Sequence, residues 1–286
     1  MAIDEERTDD MQLAHSRIGG QTIPVVRADG QWFDLRPLTP AVTPEVLSPG
    51  FLGSIRGAGL QAIDEPAAFG PPLTGIGKIV CIGLNYADHA AETGATPPEE
   101  PIVFMKAPDT VVGPTDDVLI PRRSAKTDYE IELAVVIGTT ARYLSSPDDV
   151  DAHIAGYAIS NDVSEREFQL ERGGQWDKGK NCETFNPLGP WITTADEIAD
   201  PQQLGARLWV NGEIRQDGTT KNMIFGVRHL VHYLSQFMTL YPGDVINTGT
   251  PAGVAMAHGG KFLRDGDVVE LEIDGLGRQK QTFRGA

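Results

Sequence analysis

The segment Asp128-Tyr129-Glu130-Ile131-Glu132-Leu133-Ala134-Val135-Val136-Ile137-Gly138 sets two carboxylates at the mouth of an apolar run. Side chains alternate across a strand, so Glu130 and Glu132 share one face while Ile131, Leu133 and Val135 share the other. A chain with this segment has two solutions. It can leave the acidic face in water, as a solvated edge strand does. Or it can bury that face and supply a cation, because adjacent like charges repel and lose hydration. Mg²⁺, Mn²⁺ or Ca²⁺ meets the second requirement, since hard cations take oxygen ligands. Asp162 follows in the chain and offers a third carboxylate. On these residues alone both solutions stay open.

The rest of the chain reads as an α+β, mixed-sheet protein. Residues from about Arg17 to Leu38 alternate around Ala28-Asp29-Gly30, as a hairpin does. The stretch ending in Gly70-Pro71-Pro72-Leu73-Thr74-Gly75 reads as a linker. The expected organisation is a disordered acidic leader over 1–10, a small N-terminal domain over 11–74 and a main domain over 75–286. In the main domain, Lys78 to Gly83, Ile102 to Lys106, Val118 to Ile120 and Ala155 to Asp162 are strand candidates. Ser146-Pro147-Asp148-Asp149 is a helix start with an N-cap and Pro at the first position. A polar loop is expected up to about Pro190, and Trp209 to Ile214 is a hairpin with an Asn-Gly turn. Met223 to Met238 has helical periodicity, with Ile224, Val227, Leu230, Val231, Leu234 and Met238 on one face. Gly243 to Thr250 and Gly266 to Ile273 complete the strands. Few helices separate these strands, which argues against a regular βαβ series.

Composition removes several function classes. Twenty-four basic against 40 acidic residues give a net charge of −16, which disfavours binding to a phosphate backbone. No apolar run approaches the roughly 20 residues of a membrane helix. Cys81 and Cys182 have neither metal-site nor disulfide spacing, which points to a reducing, cytoplasmic setting. The expected partner is a small molecule, not a nucleic acid or a membrane.

Two further constellations carry chemistry. His89 and Glu92 stand three apart at a helix start, so they share a face, and a carboxylate beside a histidine makes it a better base. Such a pair is also common on solvated helices. Lys178 and Lys180 lie in the glycine-containing loop Gly173 to Asn181, which can line a site or be plain surface. Arg166 could hold a substrate carboxylate or form a surface ion pair. Thr248-Gly249-Thr250-Pro251-Ala252-Gly253 lacks the spacing of a P-loop or a dinucleotide fingerprint. No G-x-S-x-G elbow occurs.

Taken together, Gly83 to His89, Asp128 to Leu133, Ser160 to Arg166, Lys180 to Pro187 and Asn247 to Gly253 resemble the fumarylacetoacetate hydrolase superfamily. The resemblance runs from about Lys78 to Phe283. It implies a β-roll of mixed sheets, assembled as a homodimer. It implies that Glu130, Glu132 and Asp162 hold one Mg²⁺ or Mn²⁺. His89 and Glu92 match the water-activating pair of the smaller acylpyruvate-cleaving members, and Lys180 matches a lysine that stabilises developing negative charge. Arg166, Gln169, Lys106 and Thr250 match substrate contacts. Fumarylacetoacetate hydrolase itself has an extra acidic ligand upstream of the histidine, where this chain has Cys81-Ile82-Gly83.

The implied reaction is hydrolytic C–C cleavage of a 2,4-diketo acid, with 2,4-diketo-3-deoxy sugar acids as the favoured class. The same scaffold could instead isomerise 2-hydroxyhepta-2,4-diene-1,7-dioate or decarboxylate a β-keto acid such as oxaloacetate. A reading from another class is a non-catalytic, metal-stabilised binding protein. The segment Ala91 to Pro101 is expected to act as a lid.

Overall fold

Strand Ile131–Ile137 lies inside the larger of two main sheets in a computed structural model that describes residues 11–286. The expected leader, 1–10, lies outside the described residues. Strand Ile131–Ile137 pairs antiparallel with Ile154–Asn161 on one side and Val245–Asn247 on the other. It is therefore not an edge strand. Every one of its residues is buried, because apolar clusters cover both faces. Ile131, Leu133, Val135 and Ile137 belong to the main core, whereas Ala134 and Val136 belong to clusters on the opposite face. The alternation read from the sequence holds, and Glu132 shares its face with Ala134 and Val136.

Beyond Val245–Asn247 the large sheet continues through Ile79–Gly83, which runs parallel to it, to Ile102–Lys106. In the other direction it passes from Ile154–Asn161 to Asn186–Thr194, then to Gln12–Ile18, Gln21–Ala28, Gln31–Asp34 and Ala62–Ile63. The segments 11–74 and 75–286 thus share one hydrogen-bonded sheet. Leu73, in the stretch read as a linker, is buried with Leu13, Val136, Ala155 and Ile192. A second sheet orders Glu213–Thr219, Gly205–Val210, Val268–Ile273, Gly277–Gly285 and Val118–Ile120. Its Leu208 and Leu271 pack in one cluster with Leu133 and Ile159 of the first sheet. The α+β, mixed-sheet expectation is what the structure has.

Three local expectations shift. The capped start at Ser146 exists, with Ser146 Oγ accepting from Asp148 N–H at 3.1 Å and Asp149 Oδ2 accepting from Ser146 N–H at 3.0 Å. It opens a 3₁₀ helix, Pro147–His153. The helix expected over Met223 to Met238 spans only Val227–Ser235. Its first residues are claimed by Asn85, whose carbonyl accepts from Ile224 N–H at 2.7 Å and whose Oδ1 accepts from Phe225 N–H at 2.9 Å. The loop expected up to Pro190 contains a π turn at Glu167–Glu171, the short helix Asp177–Lys180 and the start of Asn186–Thr194. No helix among the described residues is long and apolar enough to cross a membrane.

Leu133 is 1% exposed at the centre of the shared core. Leu133→Ala is expected to lower stability by about 2–5 kcal/mol, read as a lower urea midpoint with an unchanged slope.

Candidate active site and metal centre

Glu130, just before strand Ile131–Ile137, Glu132 within it and Asp162, just after strand Ile154–Asn161, are brought together by the pairing of those two strands. Asp162 N–H donates to Glu130 O at 2.9 Å. All three carboxylates are buried, and one oxygen from each lies within 4.8 Å of the others. Burial without charge compensation would be costly, and the neighbouring side chains supply cations. Lys180 Nζ donates to Glu130 Oε2 at 2.7 Å and to Asp162 Oδ2 at 2.8 Å. Lys106 Nζ donates to Asp162 Oδ1 at 2.6 Å and Val163 O at 3.1 Å. Arg166 donates to Glu130 Oε1 at 2.6 Å, to Asp128 Oδ2 at 2.8 Å and to Gln169 Oε1 at 3.0 Å.

Asp128, Glu130, Glu132 and Asp162 therefore stand against Lys106, Lys180 and Arg166. Among the described residues Glu132 is the carboxylate with no lysine or arginine bonded to it; its Oε2 accepts the Gly249 N–H at 2.7 Å. Electrostatics divides the two glutamates accordingly. Burial pushes Glu130 up, but Lys180 and Arg166 outweigh it and hold the carboxyl at about 2. Burial, then Asp162 and Glu130, pushes Glu132 well up. Burial lowers the basicity of Lys180, yet Asp162 and Glu130 reverse this and keep it a cation. Oxygen-only donors with one uncompensated carboxylate fit a hard divalent cation. Cys81, at the position where the resemblance marks a departure, is fully buried; burial and then Asp162 push its thiol well up, so it supplies no thiolate.

The short helix Asp177–Lys180 aims Lys180 inward because it packs tightly on the π turn that follows Arg166. A side chain at Gly179 would put its Cβ 2.4 Å from Glu165 O and 2.6 Å from Gln169 N. Phe104 lies beneath the ammonium, 5.0 Å from Nζ, and Trp176 meets Phe104 edge-on. His89 and Glu92 sit on helix Ala87–Thr93, which the strand Ile79–Gly83 delivers to the same end of the sheet. His89 Nδ1 is 3.2 Å from Glu92 Oε2, and Gly253 N–H donates to both oxygens of Glu92 at 3.0 and 3.1 Å. The loop 249–253 joins this pair to the carboxylates, since its Gly249 N–H donates to Glu132 and its Gly253 N–H to Glu92.

The structure gathers Lys106, Arg166, Gln169, Lys180 and the three carboxylates into one network. Thr250 stands close by and is committed to protein: its Oγ1 donates to Ile131 O at 2.8 Å and accepts from Gln216 Nε2 at 2.8 Å. Lys178, the other loop lysine, is on the surface and donates to Arg172 O. Sequence reasoning passed over Asp128. Its carboxylate accepts from Tyr129 N–H and Ala255 N–H, both at 2.8 Å, and from Met256 N–H at 3.2 Å, besides Arg166. The Asp-x-Glu-x-Glu alternation was the available signal. Of the lid segment, Glu100 is held by Tyr233 Oη–H at 2.8 Å.

Residues 78–284 match the sequence description of the fumarylacetoacetate (FAA) hydrolase C-terminal domain. The chain belongs to this family. A 2,4-didehydro-3-deoxy-L-rhamnonate hydrolase from Sphingomonas sp. (strain SKA58) is 47% identical over 265 residues, covering 92% of each chain. Maleylpyruvate hydrolase from Sphingobium sp. SYK-6, solved with manganese(II) ion and pyruvate, is 30% identical with a TM-score of 0.79. That match covers 96% of this chain and 100% of the other. The 5-carboxymethyl-2-hydroxymuconate delta-isomerase of Mycobacterium smegmatis is also 30% identical, with a TM-score of 0.77 over 96% of this chain and 99% of that one. The fold of the fumarylacetoacetate hydrolase family, expected from the motifs, is the fold found.

Glu132→Gln keeps an acceptor for Gly249 N–H while removing the uncompensated charge. In metal-free protein it is expected to leave the melting temperature unchanged or higher. Mg²⁺ or Mn²⁺ at about 100 times its Kd is expected to stabilise the unsubstituted protein by about 2.7 kcal/mol, and Glu132→Gln to abolish that increment. Calorimetric scans with and without metal check both outcomes.

Proposed function

We propose that this protein is a divalent-metal-dependent hydrolase that cleaves a C–C bond of a 2,4-diketo acid, giving pyruvate and a second carboxylic acid. The observation that carries the reading is a His–Glu pair set beside a buried cluster of three carboxylates. Glu130, Glu132 and Asp162 would hold Mg²⁺ or Mn²⁺. When bound, the ion supplies a Lewis acid for the carboxylate and 2-oxo group of the keto acid. Support for that assignment comes from the maleylpyruvate hydrolase solved with manganese(II) and pyruvate. The rhamnonate hydrolase relative favours 2,4-diketo-3-deoxy sugar acids as the substrate class.

The chain's own residues then have definite tasks. Glu92 accepts a hydrogen bond from His89 Nδ1–H, which leaves Nε2 as the base that takes a proton from water. Lys180 has three N–H donors and gives two to Glu130 and Asp162, so the third is available to an oxyanion. Arg166 and Lys106 likewise keep uncommitted donors. Gln169 Oε1 accepts from Arg166, which leaves its Nε2 as the donor end offered to substrate in this reading. Thr250 completes the substrate wall in this reading. The enzyme is further read as a cytoplasmic homodimer, with both cysteines as free thiols.

The isomerase relative favours a second reading, in which the same site moves a double bond with no attack by water. A water-activating His–Glu pair is not required by that reaction. The two readings separate on product. Incubation of the protein and Mg²⁺ with an acylpyruvate, followed by a lactate dehydrogenase-coupled assay, is expected to release pyruvate. His89→Ala should reduce the rate to background, and release no faster than in that variant would overturn the hydrolase reading. Lys180→Met is expected to lower kcat by about 10²–10³-fold, the usual loss for one oxyanion donor.

A further inference from the structure

Glu92 is approached from three sides, two of them through hydrogen bonds, and the proposed mechanism uses only one of the three. His89 Nδ1 is on its Oε2, Gly253 N–H spans both oxygens, and His258 Nδ1 lies 3.9 Å from Oε1. We infer that His258 is a positioning residue for the His89–Glu92 pair, acting through the Glu92 carboxylate. The inference rests on the base role assigned to His89 above.

His258 reaches Glu92 from a turn, 254–260, that is fixed at its base. Gly253 has φ +111°, and a Cβ there would stand 2.0 Å from Arg215 O, so this backbone is pressed against strand Glu213–Thr219. Tyr129 Oη–H donates to Gly253 O at 3.2 Å. Two and three residues further on, Ala255 N–H and Met256 N–H donate to Asp128, the carboxylate that also receives Arg166. The turn therefore hangs between two groups of the site. Through Asp128 and Arg166 it is tied to Glu130, and through Gly253 and His258 to Glu92.

The geometry explains why a second histidine is useful there. A carboxylate hydrogen-bonded to a backbone N–H through both oxygens can still swing about its own side-chain torsions. Glu92 is 20% exposed at its side chain, so water competes for it. An imidazole 3.9 Å from Oε1, beyond hydrogen-bond length, keeps bulk water off that oxygen and biases Oε2 toward His89 Nδ1, and that contact selects the tautomer whose Nε2 is free to act as base. His258 is itself 40% exposed at its side chain, at the rim and not among the carboxylates. It is assigned no contact with substrate.

The test uses the full-length protein and two readouts. In long-range ¹H–¹⁵N spectra at neutral pH, with His89 assigned from His89→Gln, the unsubstituted protein is expected to show one His89 tautomer, protonated at Nδ1. His258→Ala is expected to show a mixture, and His258→Lys, which restores a polar group beside Oε1, to recover the single form. Unchanged His89 signals in His258→Ala would overturn the inference. In the coupled assay, His258→Ala is expected to lower kcat about two- to fivefold, the scale of a partly exposed ion pair, with KM within about twofold. On a Glu92→Gln background the same substitution should cost nothing further. An equal loss on both backgrounds would show a merely structural role and also overturn the inference; unchanged melting of His258→Ala confirms that the variant is folded. If the unsubstituted protein releases no pyruvate, the hydrolase reading fails, while the spectra still decide the role of His258.

Discussion

Four carboxylates and three cations share one end of the large sheet, and the layout of the site follows from the need to keep them in balance. Asp128, Glu130 and Asp162 are each bonded by a lysine or arginine, and the three cations come from three different parts of the chain. Lys106 arrives from the far strand of the sheet, Lys180 from a short helix, and Arg166 from the turn after Asp162. An isolated buried charge costs several kcal/mol, so none of these segments can depart without leaving a partner exposed to that penalty. Glu132 is the exception. It is neighbour to Glu130 on the same face, yet burial, Asp162 and Glu130 push its acid–base behaviour the opposite way, and among the described residues no lysine or arginine is bonded to it. That imbalance is the physical reason to read the cluster as a cation site and not as a closed ion-pair network.

Much of this was legible in the chain. Period-2 alternation alone put Glu130 and Glu132 on one face and predicted which apolar residues would back them. The ordered motifs grouped His89, Glu92, Asp162, Arg166, Gln169 and Lys180 as one set. The parts that escaped are those decided by contacts distant in sequence. His258 has no partner near it in the chain and meets Glu92 only because the turn after Gly253 folds back. Asp128 was visible within the acidic strand, but its four-fold hydrogen bonding depends on the amides of Ala255 and Met256. The helix beginning at Val227 starts late because Asn85 captures the two residues that would have opened it. Periodicity reports an amphipathic face, and it does not report competition for the backbone that carries it.

Strand Asn186–Thr194 illustrates what the continuity of the large sheet entails. Gln12–Ile18 pairs with it at Leu13 and Ile192, and Val136, Ala155 and Ile192 are covered by Leu13, Val26, Leu35 and Leu73. The N-terminal strands thus act as an edge guard. Were they absent, the central sheet would end in unpaired amides and carbonyls flanked by a bare apolar face, the combination that recruits strands from other molecules. Strands Gln12–Ile18, Gln21–Ala28 and Gln31–Asp34 therefore shield that side of the sheet from pairing with other chains, a task set by backbone pairing and independent of whatever chemistry proceeds at its other end.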